Sequence, residues 1–283
     1  MSRIAYVNGR YVPHERAAVH IEDRGYQFAD GVYEVCGIKG GLLIDETRHL
    51  DRLERSLAEL RIPMPVTRAA LRVILRETVR RNRVRDGIVY LQVTRGVAPR
   101  DHAFSRTLIP SMVVTAKRSD PAKLAKGRTG VAVVTRPDQR WARRDIKSVA
   151  LLPNILAKQS ARDAGAYEAL LVDDKGFVTE GSSTNVWIVD REGRLITRHL
   201  GHDILNGVTR QVLVEAAKAE GIELVERPFT VEEAANAAEI FLSASSVPVI
   251  PVIRLDGKPV GEGKPGPVGA RLRAAYWRLA ELN

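Results

Sequence analysis

The chain reads as a two-domain protein of the α+β or mixed α/β class. Three observations predict it. Its 283 residues suffice for two domains of ordinary size. Strand-like and helix-like stretches come in clusters more than in strict alternation, and the glycine fingerprint of a dinucleotide-binding fold is absent. The polar, proline-bearing run SDPAKLAKG at 119–127 lies between strand-like segments, as a linker would. The expected division is a small N-terminal α/β domain over 1–118, a linker over 119–127 and a larger C-terminal domain over 128–283.

The elements follow in order. IAYVNGRYV at 4–12 alternates on both sides of Asn8-Gly9, a strong hairpin signal. GVYEVCGI and LLI, joined by Lys39-Gly40-Gly41, form a second pair. Thr47 is placed as the cap of a helix whose leucines at 50, 53, 57 and 60 make one stripe. Thr67 opens the next helix, with Leu71, Ile74, Leu75 and Val79 on its inner side. IVYLQVT and LIPSMVVTA are strands. Past the linker come the strand TGVAVVT, a helix from about Pro153 to Gly165, and two hairpins, EALLVDDKGFVTE and NVWIVDREGRLITR, each with Asp and Gly in its turn. A helix from Gly207 to Ala219 and the strands IELVERPF, EIFLSA and VIPVIRLDGKPV complete the body.

Composition excludes several classes. The net charge of +10 is spread along the chain, with short clusters such as Arg80, Arg81, Arg83 and Arg85, and no zinc-finger, basic-zipper or aromatic RNA-binding signature accompanies it. A solvated basic surface or a basic cleft for an anionic small molecule is expected, and no nucleic acid. No stretch approaches the length of a membrane span, so no membrane partner is expected. The opening MSRIAYVNGRYVPHERA lacks the apolar core of a signal peptide, and the single Cys36 cannot form an internal disulfide. A cytoplasmic location is the resulting expectation.

Candidate chemistry starts at Lys147 in RRDIKSVALLPNILAKQ, at the mouth of the apolar run Val149 to Leu152. A lysine there either lays its stem on apolar surface with its ammonium in water, or is held partly desolvated as an amine for carbonyl chemistry. Thirty-three residues on, Glu180 in TEGSSTN has the small neighbours Gly181, Ser182 and Ser183, through which a backbone can approach a flat ring. It is either a ring partner or one more exposed acid. ILNGVTRQVLVEAAKAEG starts a helix at Asn206-Gly207-Val208-Thr209, with Val208, Val212, Leu213 and Ala216 facing inward. Free N–H groups and the dipole there suit a phosphate, the Thr209 hydroxyl adding a donor, while Asn206 serves equally well as a cap. Ser243, Ser245 and Ser246 in FLSASSV are further hydroxyls at a strand end.

Four segments in one order, DRGYQFADGVYE (23–34), RDIKSVALLPNILAKQ (144–159), VTEGSSTNVW (178–187) and ILNGVTR (204–210), resemble the fold-type IV pyridoxal phosphate enzymes. That family comprises D-amino acid aminotransferases, branched-chain aminotransferases and aminodeoxychorismate lyases, and the similarity runs over nearly the whole chain. The resemblance implies a C-terminal domain with a barrel-like sheet that binds pyridoxal 5′-phosphate. It implies Lys147 as the Schiff-base lysine, Glu180 as partner of the pyridine nitrogen, and Arg52, Val208, Thr209 and Ser246 as the phosphate cradle, with Ser182 and Leu205 as further cofactor contacts. Arg52 lies off the leucine stripe, where a solvated arginine is the ordinary expectation, and only the match of HLDRL promotes it.

TRGVAPRDHAF (94–104) resembles the segment of D-amino acid aminotransferases that clamps the substrate α-carboxylate, which implies Arg100 and His102 with Tyr33 as the trap. In the family this loop reaches the neighbouring subunit's site, implying a homodimer. Ala29, Thr184 and Arg144 depart from the usual pattern. Arg144 stands three residues before Lys147, where it either repels the lysine or meets an acidic substrate. The implied activity is a ping-pong transamination of D-alanine and D-glutamate with pyruvate and 2-oxoglutarate. A branched-chain L-aminotransferase and then an aminodeoxychorismate lyase are the alternatives on this fold, and a basic nucleic-acid binder is the one from outside it.

Overall fold

The computed structural model describes residues 3–283, with the backbone alone at Lys123. The chain forms two compact units. The first comprises the residues up to Ser119 together with Ile146–Ala150 and Glu281–Asn283; the second comprises Asp120–Asp145 and Leu151–Ala280.

The first unit contains β1 (Ile4–Val7), β2 (Arg10–Pro13), α1 (Arg24–Phe28), β3 (Gly31–Lys39), β4 (Leu42–Leu43), α2 (Glu46–Glu59), α3 (Arg68–Arg81), β5 (Gly87–Thr94) and β6 (Ser111–Arg118). The strands form a six-stranded antiparallel sheet in the order β2-β1-β6-β5-β3-β4. Alternation along each strand decides its faces. Val32, Cys36 and Ile38 of β3, Val89, Leu91 and Val93 of β5, and Met112, Val114 and Ala116 of β6 are buried with Leu50, Leu53 and Leu57 of α2 and Leu71, Ile74, Leu75 and Val79 of α3. The opposite parity, with Tyr33, Val35, Tyr90 and Gln92, is half-buried.

Both helix starts illustrate what local sequence decides. Thr67 caps α3, its hydroxyl accepting from Ala70 N. Thr47 does not cap α2 but lies in its first turn; the cap is Asp45, in the left-handed region at φ 55°. A tertiary pairing sets that position: Asp45 N donates to Glu281 O at 2.9 Å, and Glu281 N donates to Asp45 Oδ1 at 3.0 Å.

The second unit contains α4 (Pro121–Thr129), β7 (Val131–Pro137), α5 (Leu152–Asp163), β8 (Glu168–Val172), β9 (Val178–Gly181), β10 (Asn185–Val189), β11 (Leu195–Thr197), α6 (Val208–Ala219), β12 (Leu224–Glu226), α7 (Val231–Asn236), β13 (Glu239–Ala244), β14 (Val247–Leu255), β15 (Lys258–Pro259) and α8 (Pro267–Leu279). The expected linker at 119–127 is therefore mostly helix. Asp120 caps it by accepting from Ala122 N, and Pro121 occupies its first turn, where a missing N–H costs nothing. Asn206 does not cap α6; Gly207 does, in extended backbone.

A mixed nine-stranded sheet runs β12-β11-β10-β13-β14-β7-β8-β9, with β15 against β14. Its last strand, β9, leads through residues 182–184 straight into β10 and packs beside it, so the sheet curls into a half-barrel. Trp187 and Phe241 stack inside at 5.8 Å, and Trp187 Nε1 donates to Ser243 Oγ at 3.0 Å. Among the described residues no helix is long and apolar enough to cross a membrane.

Leu53 is buried in the core beside Arg52. Leu53→Ala should cost about 2–5 kcal/mol through lost transfer energy and the cavity left behind, read as a lowered denaturation midpoint in urea with an unchanged slope.

Candidate active site

In the first unit, Lys147 is fastened by backbone pairing. Tyr33 N donates to Lys147 O and Val149 N to Gly31 O, both at 3.0 Å, so residues 147–149 lie along β3 like a short extra strand. The Lys147 ammonium stands 4.3 Å from the centre of the Tyr33 ring, within reach of its negative face. The apolar run that follows is only partly covered, Ala150 and Leu152 being exposed.

Glu34 follows Tyr33 and points to the other face of the sheet, toward α2. Arg52 grips it with both arms, Nε to Oε1 at 2.8 Å and Nη2 to Oε2 at 2.9 Å, and His49 Nδ1 donates to Oε2 at 2.7 Å. All three are buried, so Arg52 is no solvated surface arginine. Burial raises the Glu34 carboxyl, but Arg52 and His49 together outweigh it and hold the carboxyl far below its ordinary range. Burial keeps His49 below its usual value and hence neutral, against the pull of Glu34.

Arg100 and His102 are exposed, and both rest on Phe28 of α1, at 4.6 Å and 5.6 Å from the ring centre. Their backbone is clasped by the buried Arg24, which donates to the carbonyls of Asp101 at 2.6 Å, His102 at 3.2 Å and Ala103 at 3.4 Å, and to Asp30 at 2.8 Å. Arg95 grips both oxygens of Asp30, Nε to Oδ2 at 2.7 Å and Nη2 to Oδ1 at 2.9 Å, and lies 3.6 Å over the Phe104 ring.

In the second unit, Glu180 is buried in β9 rather than exposed at a strand end. Its Oε1 accepts from Arg140 Nη1, while Oε2 accepts from Asn185 Nδ2 at 3.1 Å and from Leu205 N at 3.2 Å. Burial pushes its carboxyl upward and Arg140 is the strongest influence pulling it back. Leu205 thus reaches Glu180 through its backbone. Val208 and Thr209 open α6 and are buried; a Cβ on Gly207 would meet Asn185 Oδ1 at 2.1 Å, so only glycine lets this helix start so close to Asn185. The Ser182 hydroxyl donates to the buried Glu168, which also accepts from Ser183 Oγ at 2.9 Å and pairs with Lys158 at 3.2 Å. Ser245 and Ser246 form the turn between β13 and β14. Arg144 meets Asp138 at 3.3 Å and Asp203 at 3.4 Å.

Arg140, Asn185, Arg24 and Glu34 were not singled out by the sequence. Asn185 carries a trace in TEGSSTN, five residues after Glu180; Arg140, in RPDQRWARR, carries none.

The family follows from comparison with known proteins: residues 31–255 match the family model described as amino-transferase class IV. The chain belongs to that family and is a pyridoxal-phosphate-dependent aminotransferase. It is 42% identical over 269 residues to the D-alanine aminotransferase of Bacillus licheniformis, covering 95% of this chain and 94% of the relative. Among solved structures, the branched-chain amino acid aminotransferase of Escherichia coli shares the fold with a TM-score of 0.91 at 23% identity, over 99% of this chain and 95% of that one. The T.th. branched-chain amino acid aminotransferase, solved with pyridoxamine 5′-phosphate, has a TM-score of 0.85 at 26% identity, over 98% and 94%.

The donor set of the second unit fits such a cofactor. A buried acid suits a basic ring nitrogen, the first turn of α6 offers unpaired N–H groups to a phosphate, and Thr184 Oγ1 is a buried hydroxyl without a partner.

Glu34→Gln strips Arg52 of its buried counter-charge and should cost about 3–5 kcal/mol at neutral pH. A depressed carboxyl stabilises the fold above the unfolded pKa and loses that contribution as pH falls toward the folded one. The gap between wild type and variant, measured by urea unfolding, should therefore shrink once pH drops below about 4.

Proposed function

We propose that this enzyme is a D-amino acid aminotransferase moving the amino group between D-alanine or D-glutamate and pyruvate or 2-oxoglutarate. The observation that carries the reading is Lys147, pinned to β3 with its amine over the ring of Tyr33. The D-alanine aminotransferase relative supports the choice of substrate. When bound, the cofactor supplies the electron sink for the charge left when the α-proton departs. Lys147 Nζ takes and returns that proton. Glu180 keeps the proton on the ring nitrogen, and Arg52, Val208, Thr209 and Ser246 hold the phosphate, with Ser182 and Leu205 fixing the wall of the pocket. Tyr33, Arg100 and His102 hold the substrate carboxylate, arginine offering a planar fork and the others single donors. Placing the carboxylate on their side decides which face of the α-carbon meets Lys147, and so selects the D enantiomer.

We read the second unit as the cofactor-binding domain and the first as the smaller α/β domain. The working assembly is a homodimer, supported by Leu152, Ile155 and Leu156, an exposed apolar stripe on α5 at helical spacing. The location is cytoplasmic, in keeping with one buried, unpaired Cys36.

The deciding measurement is the cofactor absorbance of the purified enzyme, with D-alanine or L-leucine added and no 2-oxo acid present. Loss of the band with D-alanine and release of pyruvate is expected; loss with L-leucine alone would turn the reading to the branched-chain activity that the neighbouring folds carry. Lys147→Ala should lower turnover by at least ~10²–10⁴-fold. Arg24→Met, which frees the clasped loop, should raise the KM for D-alanine about tenfold in steady-state assays while kcat changes little, the mark of lost ground-state binding.

A further inference from the structure

We propose that Arg140 is the positioning residue that keeps Glu180 a carboxylate fit to hold a protonated ring nitrogen, and that Asp138 fixes the orientation of Arg140. The inference rests on the assignment of Glu180 to the cofactor's ring.

Arg140 is fully engaged and nearly all buried. One arm, Nη1, donates to Glu180 Oε1. The rest of the fork is turned mainly to Asp138, with Nε to Oδ1 at 2.9 Å and Nη2 to Oδ2 at 2.7 Å, and Nη2 also reaches Thr179 Oγ1 at 3.3 Å and the Asp203 carbonyl at 3.5 Å. Asp138 is in turn held by the Thr179 hydroxyl at 2.7 Å, by Arg140 N at 3.2 Å and by Arg144 Nε at 3.3 Å. Thr179 and Glu180 are neighbours on β9, so one short strand segment receives both ends of the arrangement: Thr179 anchors the aspartate and Glu180 meets the arginine it aims.

Glu180 needs such a partner. A buried carboxyl tends toward its neutral form, and a neutral carboxyl carries its own proton and cannot stabilise one on an adjacent ring. The donors on Oε2, an amide and a backbone N–H, are uncharged; among the described residues, Arg140 is the only cation within ion-pair distance of either oxygen. Burial and Arg140 act on Glu180 in opposite directions, so removing the guanidinium leaves burial unopposed. A rigid fork already fixed by Asp138 also holds Oε1 in place without losing side-chain freedom when a ring arrives. Arg144, expected near the lysine or substrate, is accounted for here as the second cation on Asp138.

The test compares two ligands on apo-protein: pyridoxal 5′-phosphate and its analogue with CH in place of the ring nitrogen. Both carry the aldehyde and the phosphate, and only the first has a nitrogen for Glu180. Dissociation constants are measured by equilibrium dialysis for wild type, Arg140→Met, Arg140→Lys and Glu180→Gln. Arg140→Met should weaken the natural cofactor on the order of tenfold, the size of one charge-assisted hydrogen bond, and leave the analogue within about twofold. Arg140→Lys, which keeps the charge but not the fork, should show a smaller selective loss of about threefold; it carries the test if Arg140→Met does not fold. Equal weakening of both ligands, or of neither, overturns the proposal. Glu180→Gln separates the layers: a selective loss there with none in the arginine variants sinks only the role of Arg140, whereas no selective loss in Glu180→Gln removes the ring-partner assignment itself.

Discussion

Two backbone hydrogen bonds between β3 and residues 147–149 govern the placement of Lys147. A lysine side chain has four rotatable bonds and a strong appetite for water, and by itself it would wander. Pairing Val32 with Ser148 fixes the start of the stem, and the Tyr33 ring beneath the ammonium narrows where it ends. The same strand, by alternation, turns Glu34 to its other face, where it anchors α2 through Arg52 and His49. One strand thus sets Lys147 on one side and the helix bearing Arg52 on the other. A register slip in β3 would exchange the two faces and destroy both.

Two of the buried glutamates, Glu34 and Glu180, lie beside arginines and shift in opposite directions, which follows from how the guanidinium is shared. Glu34 has two donors of Arg52, Nε and Nη2, and a histidine, and is driven deep into its ionised form. Glu180 has one arm of a fork whose other donors are turned mainly to Asp138, so burial still raises its carboxyl above the ordinary value while Arg140 limits the rise. By linkage the first carboxylate stabilises the fold at neutral pH, whereas a carboxyl whose folded pKa is raised costs stability once it is ionised there. The role proposed for Glu180 at a ring nitrogen would account for such a cost.

Much of this was legible in the sequence because the signals are local. The leucine stripe of α2, the Asn8-Gly9 hairpin and the glycine-started α6 each need only neighbouring residues. Two further signals were readable and missed: Asp120-Pro121, a cap followed by a first-turn proline, and Thr230 with Glu233, a capping box that opens α7. The rest was out of reach. The start of α8 is capped by Glu239, which accepts from Val268 N and Gly269 N across about thirty residues. Arg52 reads as a surface residue until Glu34 is known to lie beneath it, and Arg140 lies forty positions from the carboxylate it meets. Long-range charge pairing has no period, so no pattern in the chain announces it.

The residues proposed to hold the substrate carboxylate show the complementary problem. Arg100 and His102 are exposed, on a loop with no regular structure, yet a carboxylate clamp works only if its donors are already in place. Their own side chains cannot supply that order without giving up the hydrogen bonds they need for substrate. The structure moves the task to a buried residue. Arg24 binds three consecutive carbonyls of the loop and is itself oriented by Asp30, whose two oxygens Arg95 also holds. Order is thereby imposed through the backbone, which leaves the side-chain donors of Arg100 and His102 to the carboxylate clamp proposed for them, the condition under which such a clamp binds an anion and releases its product.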